Sequence, residues 1–318
     1  MEPATTPVTP RCVLGCAALA GLYRPVAEEE AQAALEAAWE LGVRRFDTAP
    51  HYGVGLSEER LGRFLRTKPR DSFTISTKVG RLLVDDPAAV DGTDEFYGTP
   101  RRSRRRDYTA DGVLRSLEES LERLGLDRVD LALVHDPEDF MDQALDEAAP
   151  ALSRLRAEGV LNGYGVGTNV TGTARRFVSE TDVDTVMIAG RYSLLDRRAE
   201  EGLLDLCHDR DIRVLAAAVL NSGILVDPAP GARFNYAPAP DWLLAAARHM
   251  DGACAAHDLP LRAAALQFPV RHPAVDAVVL GAGSEATVRD SVAWLRAPVP
   301  DELWAELDAL LPEQDRLP

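Results

Sequence analysis

Cysteine is scarce. Cys12, Cys16, Cys207 and Cys254 are the only four in 318 residues. That is too few for a disulfide framework in a chain of this length, and such thiols point to a reducing compartment, the cytoplasm. Positive charge is short as well: Lys and Arg total 35 against 51 Asp and Glu, a formal net charge of −16. A nucleic-acid binder normally carries the opposite balance, and an anionic membrane surface is disfavoured for the same reason. Met1–Pro10 has no basic leader, and the apolar stretch Cys12–Leu22 is broken by Gly15 and Gly21 and too short to span a bilayer. Neither targeting nor membrane insertion is expected. The six histidines show no ligand spacing with Cys or Glu, so no metal site is expected. No G-x-S-x-G is present, which disfavours an α/β-hydrolase.

What is present is an alternation that runs end to end. Short apolar runs suited to strands fall at Cys12–Cys16, Arg45–Thr48, Phe73–Lys78, Val129–His135, Gly163–Thr168, Thr185–Ala189, Ile212–Ala217 and Ala277–Leu280. Amphipathic stretches lie between them. In Ala110–Leu124, residues Val113, Leu114, Leu117, Leu121 and Leu124 share one face, with Glu118, Glu119, Glu122 and Arg123 opposite. The alternation predicts a parallel sheet with crossover helices. About eight such units predict a single closed (β/α)8 barrel over residues 1–318, with a doubly wound open sheet as the other arrangement. Two long Pro/Gly-rich insertions, Arg81–Tyr108 and Asn221–Asp241, follow the third and seventh strands. In a barrel both sit over the C-terminal face, where barrel enzymes hold their active sites.

The densest chemical cluster is Phe46-Asp47-Thr48-Ala49-Pro50-His51-Tyr52-Gly53, which begins in a strand and ends in a turn. Lys78 ends the next strand and His135 the one after. Asp47, Tyr52, Lys78 and His135 thus come from neighbouring strand ends on one face. Singly, each has a structural explanation as a turn, packing or strand-end residue; together they support proton transfer at a carbonyl or alcohol. A free tyrosine, with a pKa near 10, is a poor base near neutrality. An ammonium about 4 Å away favours phenolate by roughly 4 kcal/mol, up to about three pKa units before burial opposes it. Asp47 then holds the lysine, and His135 orients the substrate oxygen. With no nucleophile required, something else must carry the electrons, and a nicotinamide hydride fits.

These same residues resemble the aldo-keto reductase family, through the Phe46–Gly53 segment followed by Ser57-Glu58, through Ser76-Thr77-Lys78 and through Leu133-Val134-His135. The resemblance implies a (β/α)8 barrel, a catalytic Tyr52, Lys78, Asp47 and His135, and an NAD or NADP cofactor. Gly21–Val26, Thr77–Leu83, Gly190–Asp196 and Asn221–Leu225 are similar to the aldose 1-dehydrogenase branch, which includes L-fucose and D-threo-aldose dehydrogenases with pyridoxal 4-dehydrogenase close by. The implied reaction is oxidation of a sugar hemiacetal at its first carbon to a lactone. A reductase of small aldehydes or ketones and a non-catalytic, cofactor-sensing subunit are the alternatives.

At the cofactor end, Gly281-Ala282-Gly283-Ser284-Glu285-Ala286 reads as a phosphate site after the last strand, with a helix starting near Ser284. By position, Gly281, Gly283, Ser284, Arg289 and Asp290 line it. The resemblance assigns Thr168 and Asn169 to the nicotinamide end, Asn169 bonding its carboxamide. Three positions depart from the family pattern: Ala189 stands where many members have Gln, Ala217 where many have an aromatic ring, and Gly283 where relatives often carry Arg or Lys. Only Arg289 remains nearby to bind a 2′-phosphate, which leans towards NAD. The run Arg101–Arg106 reads as a solvated loop or as surface salt bridges to Asp and Glu, with contact to an anionic substrate as the other reading.

Overall fold

The computed structural model describes residues 11–318; Met1–Pro10, where the sequence shows no basic leader, lie outside the described residues. Eight strands form a closed barrel: β1 (Cys12–Gly15), β2 (Arg45–Asp47), β3 (Thr74–Val79), β6 (Leu131–His135), β7 (Gly163–Thr168), β8 (Thr185–Ala189), β9 (Arg213–Ala217) and β12 (Val275–Gly281). Every barrel pairing is parallel, and β1 closes the ring between β2 and β12. All eight runs read from the sequence are these strands, and closure excludes the open sheet. Two intervening hairpins are antiparallel: β4 (Arg81–Asp85) with β5 (Arg102–Arg106), and the short β10 (Arg233–Phe234) with β11 (Ala237–Pro238).

Among the described residues, ten helices of seven or more residues surround the strands. In chain order they are α1 (Glu28–Glu40), α2 (Leu56–Leu65), α3 (Ala110–Leu124), α4 (Ala149–Ala157), α5 (Thr171–Glu180), α6 (Leu203–Asp209), α7 (Asp241–Ala256), α8 (Leu261–Gln267), α9 (Glu285–Arg296) and α10 (Asp301–Ala309). Strands buried on both faces explain why they read as continuous apolar runs. Val13, Leu133, Met187, Leu215, Ala277 and Val279 fill the barrel interior, while the outward-facing residues pack in a larger core under the helices. No helix among the described residues is long and apolar enough to cross a membrane, and all four cysteines are free and buried.

Local chemistry fixes the helix ends. The Thr109 hydroxyl caps α3 by accepting from the Gly112 N–H, and Gly125, at φ 60°, closes it in the left-handed conformation. The buried face of α3 is narrower than its leucines suggest. Val113, Leu117 and Leu124 are covered together with Ser116 and Ser120, while Leu114 and Leu121 stay half-buried. The serines let neighbouring elements come close.

The first insertion carries a hairpin of its own. The arginine run is not a solvated loop: Arg102–Arg106 is the strand β5, and its guanidiniums bind nearby groups. Arg102 pairs with Glu59 at 2.9 Å, Arg104 with Asp94 at 2.9 Å, and Arg106 with Asp139. Alternation along a strand puts Arg102, Arg104 and Arg106 on one face, and carboxylates from three different segments receive them.

Helices α2 and α3 approach closest at Gly62, where an added Cβ would meet the Leu124 Cα at 2.6 Å and its carbonyl carbon at 2.7 Å. Gly62→Ala therefore forces the two helices apart. The expected cost is about 1–3 kcal/mol, read as a lower urea midpoint; an unchanged midpoint contradicts the packing.

Candidate active site

The site begins as an ion pair inside the barrel mouth. Asp47 ends β2 and Lys78 lies near the end of β3, both side chains about 2% exposed. The Lys78 Nζ donates to Asp47 Oδ1 at 2.6 Å and to the Thr48 carbonyl at 3.0 Å. The other carboxylate oxygen of Asp47 accepts from the Ser76 hydroxyl at 2.7 Å. Burial works against the Lys78 ammonium, but the charge of Asp47 and the Tyr52 oxygen more than offset it, so its pKa lies above the ordinary lysine value.

Tyr52 is carried by a tight turn, and the Lys78 Nζ lies 4.6 Å from its ring centroid. Gly53, Val54 and Gly55 all take positive φ (59°, 47° and 95°). At Gly53 a Cβ would meet the Ala20 carbonyl at 2.6 Å, so the turn needs glycine there. Ser57 and Glu58 of the following helix pin the turn. The Thr48 hydroxyl donates to Ser57 Oγ, which donates to the Cys16 carbonyl. The wholly buried Glu58 accepts from Thr77 Oγ1 at 2.7 Å and Arg123 Nε at 2.6 Å. Burial is the largest influence on the Tyr52 phenol and raises its pKa; Lys78 opposes this, and the net shift is upward from 10. The expected lowering by lysine is thus outweighed by desolvation.

His135 ends β6 with its ring edge-on to Tyr52, centroids 6.0 Å apart. The structure therefore brings together all four residues expected from the strand ends. The Tyr108 hydroxyl fastens this corner by donating to the carbonyls of His135 and Asp136. Asp136 takes φ 43°, and its carboxylate lies 3.5 Å from His135 Nε2 and accepts from Arg81 Nη2 at 2.6 Å. His135 Nδ1 is buried with no hydrogen bond among the described residues. Burial, then the charges of Arg81 and Lys78, push the imidazole well below its usual pKa, so it is neutral at physiological pH. His51, Phe96 and Arg81 complete the wall. Phe96 lies 6.2 Å from the Tyr52 ring and 5.5 Å from that of His51, and Arg81 Nη1 contacts His51 Nδ1 at 3.0 Å. The sequence reading missed these residues and Asp136, because partners separated by long insertions leave no spacing signal.

On the other side of the mouth, Thr168 ends β7. Its hydroxyl accepts from the Val170 N–H at 2.9 Å and donates to Glu138. Exposed Asn169 makes no side-chain hydrogen bond among the described residues, and its carbonyl accepts from Arg191 Nε at 2.8 Å. Gly281 ends β12, and Ser284 caps α9 reciprocally with Thr287. That box uses the N–H groups of Ser284 and Thr287, leaving those of Glu285 and Ala286 for an anion. Arg289 is less available than expected, since it pairs with Glu40 at 2.7 Å and Glu285 at 2.9 Å. Asp290 faces Arg262 of α8 at 3.3 Å rather than the Gly281–Ser284 turn. Asn221 joins the set unexpectedly: it is 2% exposed, donates to the Gly190 carbonyl at 3.3 Å, and leaves Oδ1 buried without a partner among the described residues. Its only signal was its place in the Asn221–Leu225 motif.

Comparison with known proteins gives these groups a context. The model of the Aldo/keto reductase family matches residues 11–312. The chain is 44% identical over 300 residues to a D-threo-aldose 1-dehydrogenase of a Pseudomonas species, covering 92% of this chain and 91% of that one. It is 40% identical over 314 residues to a pyridoxal 4-dehydrogenase of Microbacterium luteolum, covering 92% of each. Among solved structures, the holo form of an aldo-keto reductase from Bacillus halodurans superposes with a TM-score of 0.74 at 25% identity, over 96% of this chain and 95% of that one. An amide-bearing, anionic dinucleotide fits the open Asn169 amide, the orphaned Asn221 oxygen and the free N–H groups at the start of α9.

Asp47→Asn leaves the Lys78 ammonium buried with a neutral partner. The expected loss is about 3–5 kcal/mol of stability, measured by urea denaturation. A loss within about 0.5 kcal/mol contradicts the central place given to the pair.

Proposed function

The chain belongs to the aldo/keto reductase family, and on that premise we propose that it oxidises an aldose of the L-fucose or D-threo-aldose type at its anomeric carbon, giving the lactone. It is an oxidoreductase of a family that works with nicotinamide cofactors. The observation that carries the reading is the Lys78 ammonium held between Asp47 and Tyr52 at the bottom of the mouth. The 44% identity to a D-threo-aldose 1-dehydrogenase supports the substrate class.

Tyr52 takes the proton of the anomeric hydroxyl as the C–O bond becomes a carbonyl. Lys78 stabilises the phenolate that this role requires, and Asp47 keeps the ammonium charged and aimed. Neutral His135 orients the same oxygen by hydrogen bonding. The hydride acceptor for the first carbon would be supplied by a bound nicotinamide cofactor. Asn169, Thr168 and Asn221 would hold its amide end, and Gly281, Gly283 and Ser284 its phosphates. Arg289 already lies between two carboxylates and Gly283 is uncharged, which supports NAD over NADP. The four free, buried thiols suit a reducing cytoplasm. Oxidation of a pyridoxal-type alcohol is the second reading, favoured by the 40% identical relative; it uses the same Tyr52.

Tyr52→Phe is expected to cut turnover by about a thousandfold or more while the affinity for the cofactor, read by fluorescence titration, stays the same. Turnover within about twofold of wild type defeats the assignment.

The raised pKa of Tyr52 sets the pH dependence. Below that pKa the phenolate fraction rises about tenfold per pH unit. Initial rates should therefore show kcat/KM for aldose oxidation climbing from pH 7 to 9.5 without a plateau. Reduction of an aldehyde, which needs the protonated phenol, should be flat over the same range. A plateau in oxidation by pH 8 contradicts the burial of the phenol.

A further inference from the structure

We infer that His51 is a specificity-determining residue: Arg81 locks its imidazole with the proton on Nε2, and that N–H reads a second oxygen of the substrate. The inference rests on the sugar-oxidation reading above and deepens it. A guanidinium has donors and no acceptor, so the 3.0 Å contact between Arg81 Nη1 and His51 Nδ1 makes Nδ1 the acceptor. Burial, followed by the charges of Arg81 and Arg104, holds the ring well below the usual histidine pKa, so it carries one proton. That proton is on Nε2.

The ring is fixed on every side but one. Arg81 is itself held by Asp136 at 2.6 Å, and Arg104 Nη2 donates to the His51 carbonyl at 2.9 Å. The ring stands 5.6 Å from that of His135, edge-on, and 6.1 Å from that of Tyr52. Phe96 covers another side. Nε2 makes no hydrogen bond among the described residues, and the side chain is only partly covered. An oriented donor beside the proton-exchanging phenol, with no partner in the protein, is placed for a ligand.

The chemistry of the substrate decides what it selects. A simple aldehyde brings one oxygen, which Tyr52 and His135 already claim. A sugar brings further hydroxyls and a ring oxygen, and one of these satisfies the His51 N–H. His51 therefore favours polyhydroxylated cyclic substrates over small aldehydes. Arg81 acts through His51 and is a positioning residue.

The test compares His51→Phe, which loses the donor, with His51→Gln, which keeps an N–H. Arg81→Met and Arg81→Lys form the second pair. L-Fucose oxidation and propanal reduction are followed in the whole protein, together with the inhibition constant of L-fucose against propanal reduction. Melting temperature and cofactor affinity report folding, with His51→Leu in reserve should the Phe variant fail to fold. In His51→Phe, the KM for L-fucose and its inhibition constant should rise by about tenfold, and at least about fivefold more than the KM for propanal. His51→Gln should recover most of the loss, and Arg81→Lys should lie nearer wild type than Arg81→Met. Equal effects on sugar and propanal, or an L-fucose KM and inhibition constant within about twofold of wild type, overturn the inference. A wild type that does not oxidise L-fucose yet is inhibited by it through His51 removes the proposed reaction and leaves the donor assignment standing.

Discussion

A single buried ion pair, Lys78 with Asp47, is the constraint around which the mouth of the barrel is organised. Two charges about 2% exposed are costly to desolvate, and only near-ideal geometry and further hydrogen bonds compensate. Both conditions are met: Lys78 has the Thr48 carbonyl as a second acceptor, and Asp47 has the Ser76 hydroxyl as a second donor. Lysine is rare in this chain, with Lys68 the only other one, so arginine carries almost all the other positive charge. The compact ammonium fits between a carboxylate and a phenol where a planar guanidinium would demand a wider cavity. Ser57 and Glu58 then serve the pair indirectly, by pinning the turn that brings Tyr52 over it.

The second organising feature is a field of positive charge in a protein that is acidic overall. Arg81 and Arg104 come from the insertion after β3 and stand beside His51 and His135. Together with burial they keep both imidazoles neutral, so each has one N–H donor and one acceptor nitrogen, and Arg81 fixes which is which in His51. Burial raises the Tyr52 pKa and Lys78 resists it. The proton-exchanging group is thus a phenol at rest, and the ammonium limits the free-energy cost of making it a phenolate.

Much of this was legible in the sequence because barrel geometry converts order into proximity. Asp47, Lys78 and His135 close successive strands, and parallel strands place their C-terminal ends on one face. The helix start at Ser284 was legible for a local reason, a capping residue at the end of an apolar run. What was not legible depends on contacts between distant segments. The Arg101–Arg106 run became a strand because Arg81–Asp85 pairs with it, a long-range event that its charge conceals. Arg289 was read as the charge nearest a 2′-phosphate; its i,i+4 partner Glu285 was within local reach, but Glu40, 249 residues away, was not legible. The orphaned Asn221 oxygen follows from a turn at φ 46° that residue identity alone does not announce.

The most direct test of the central claim is a titration of Tyr52 itself. Protein labelled with 13C at the phenolic carbon of tyrosine can be followed by NMR against pH, as wild type and as Lys78→Met, with Tyr52→Phe to assign the resonance. The ion-pair account predicts that Tyr52 ionises above pH 10 in the wild type, and at a higher pH still once the ammonium is gone, because burial then acts unopposed. A midpoint that stays in place or falls in Lys78→Met would contradict it.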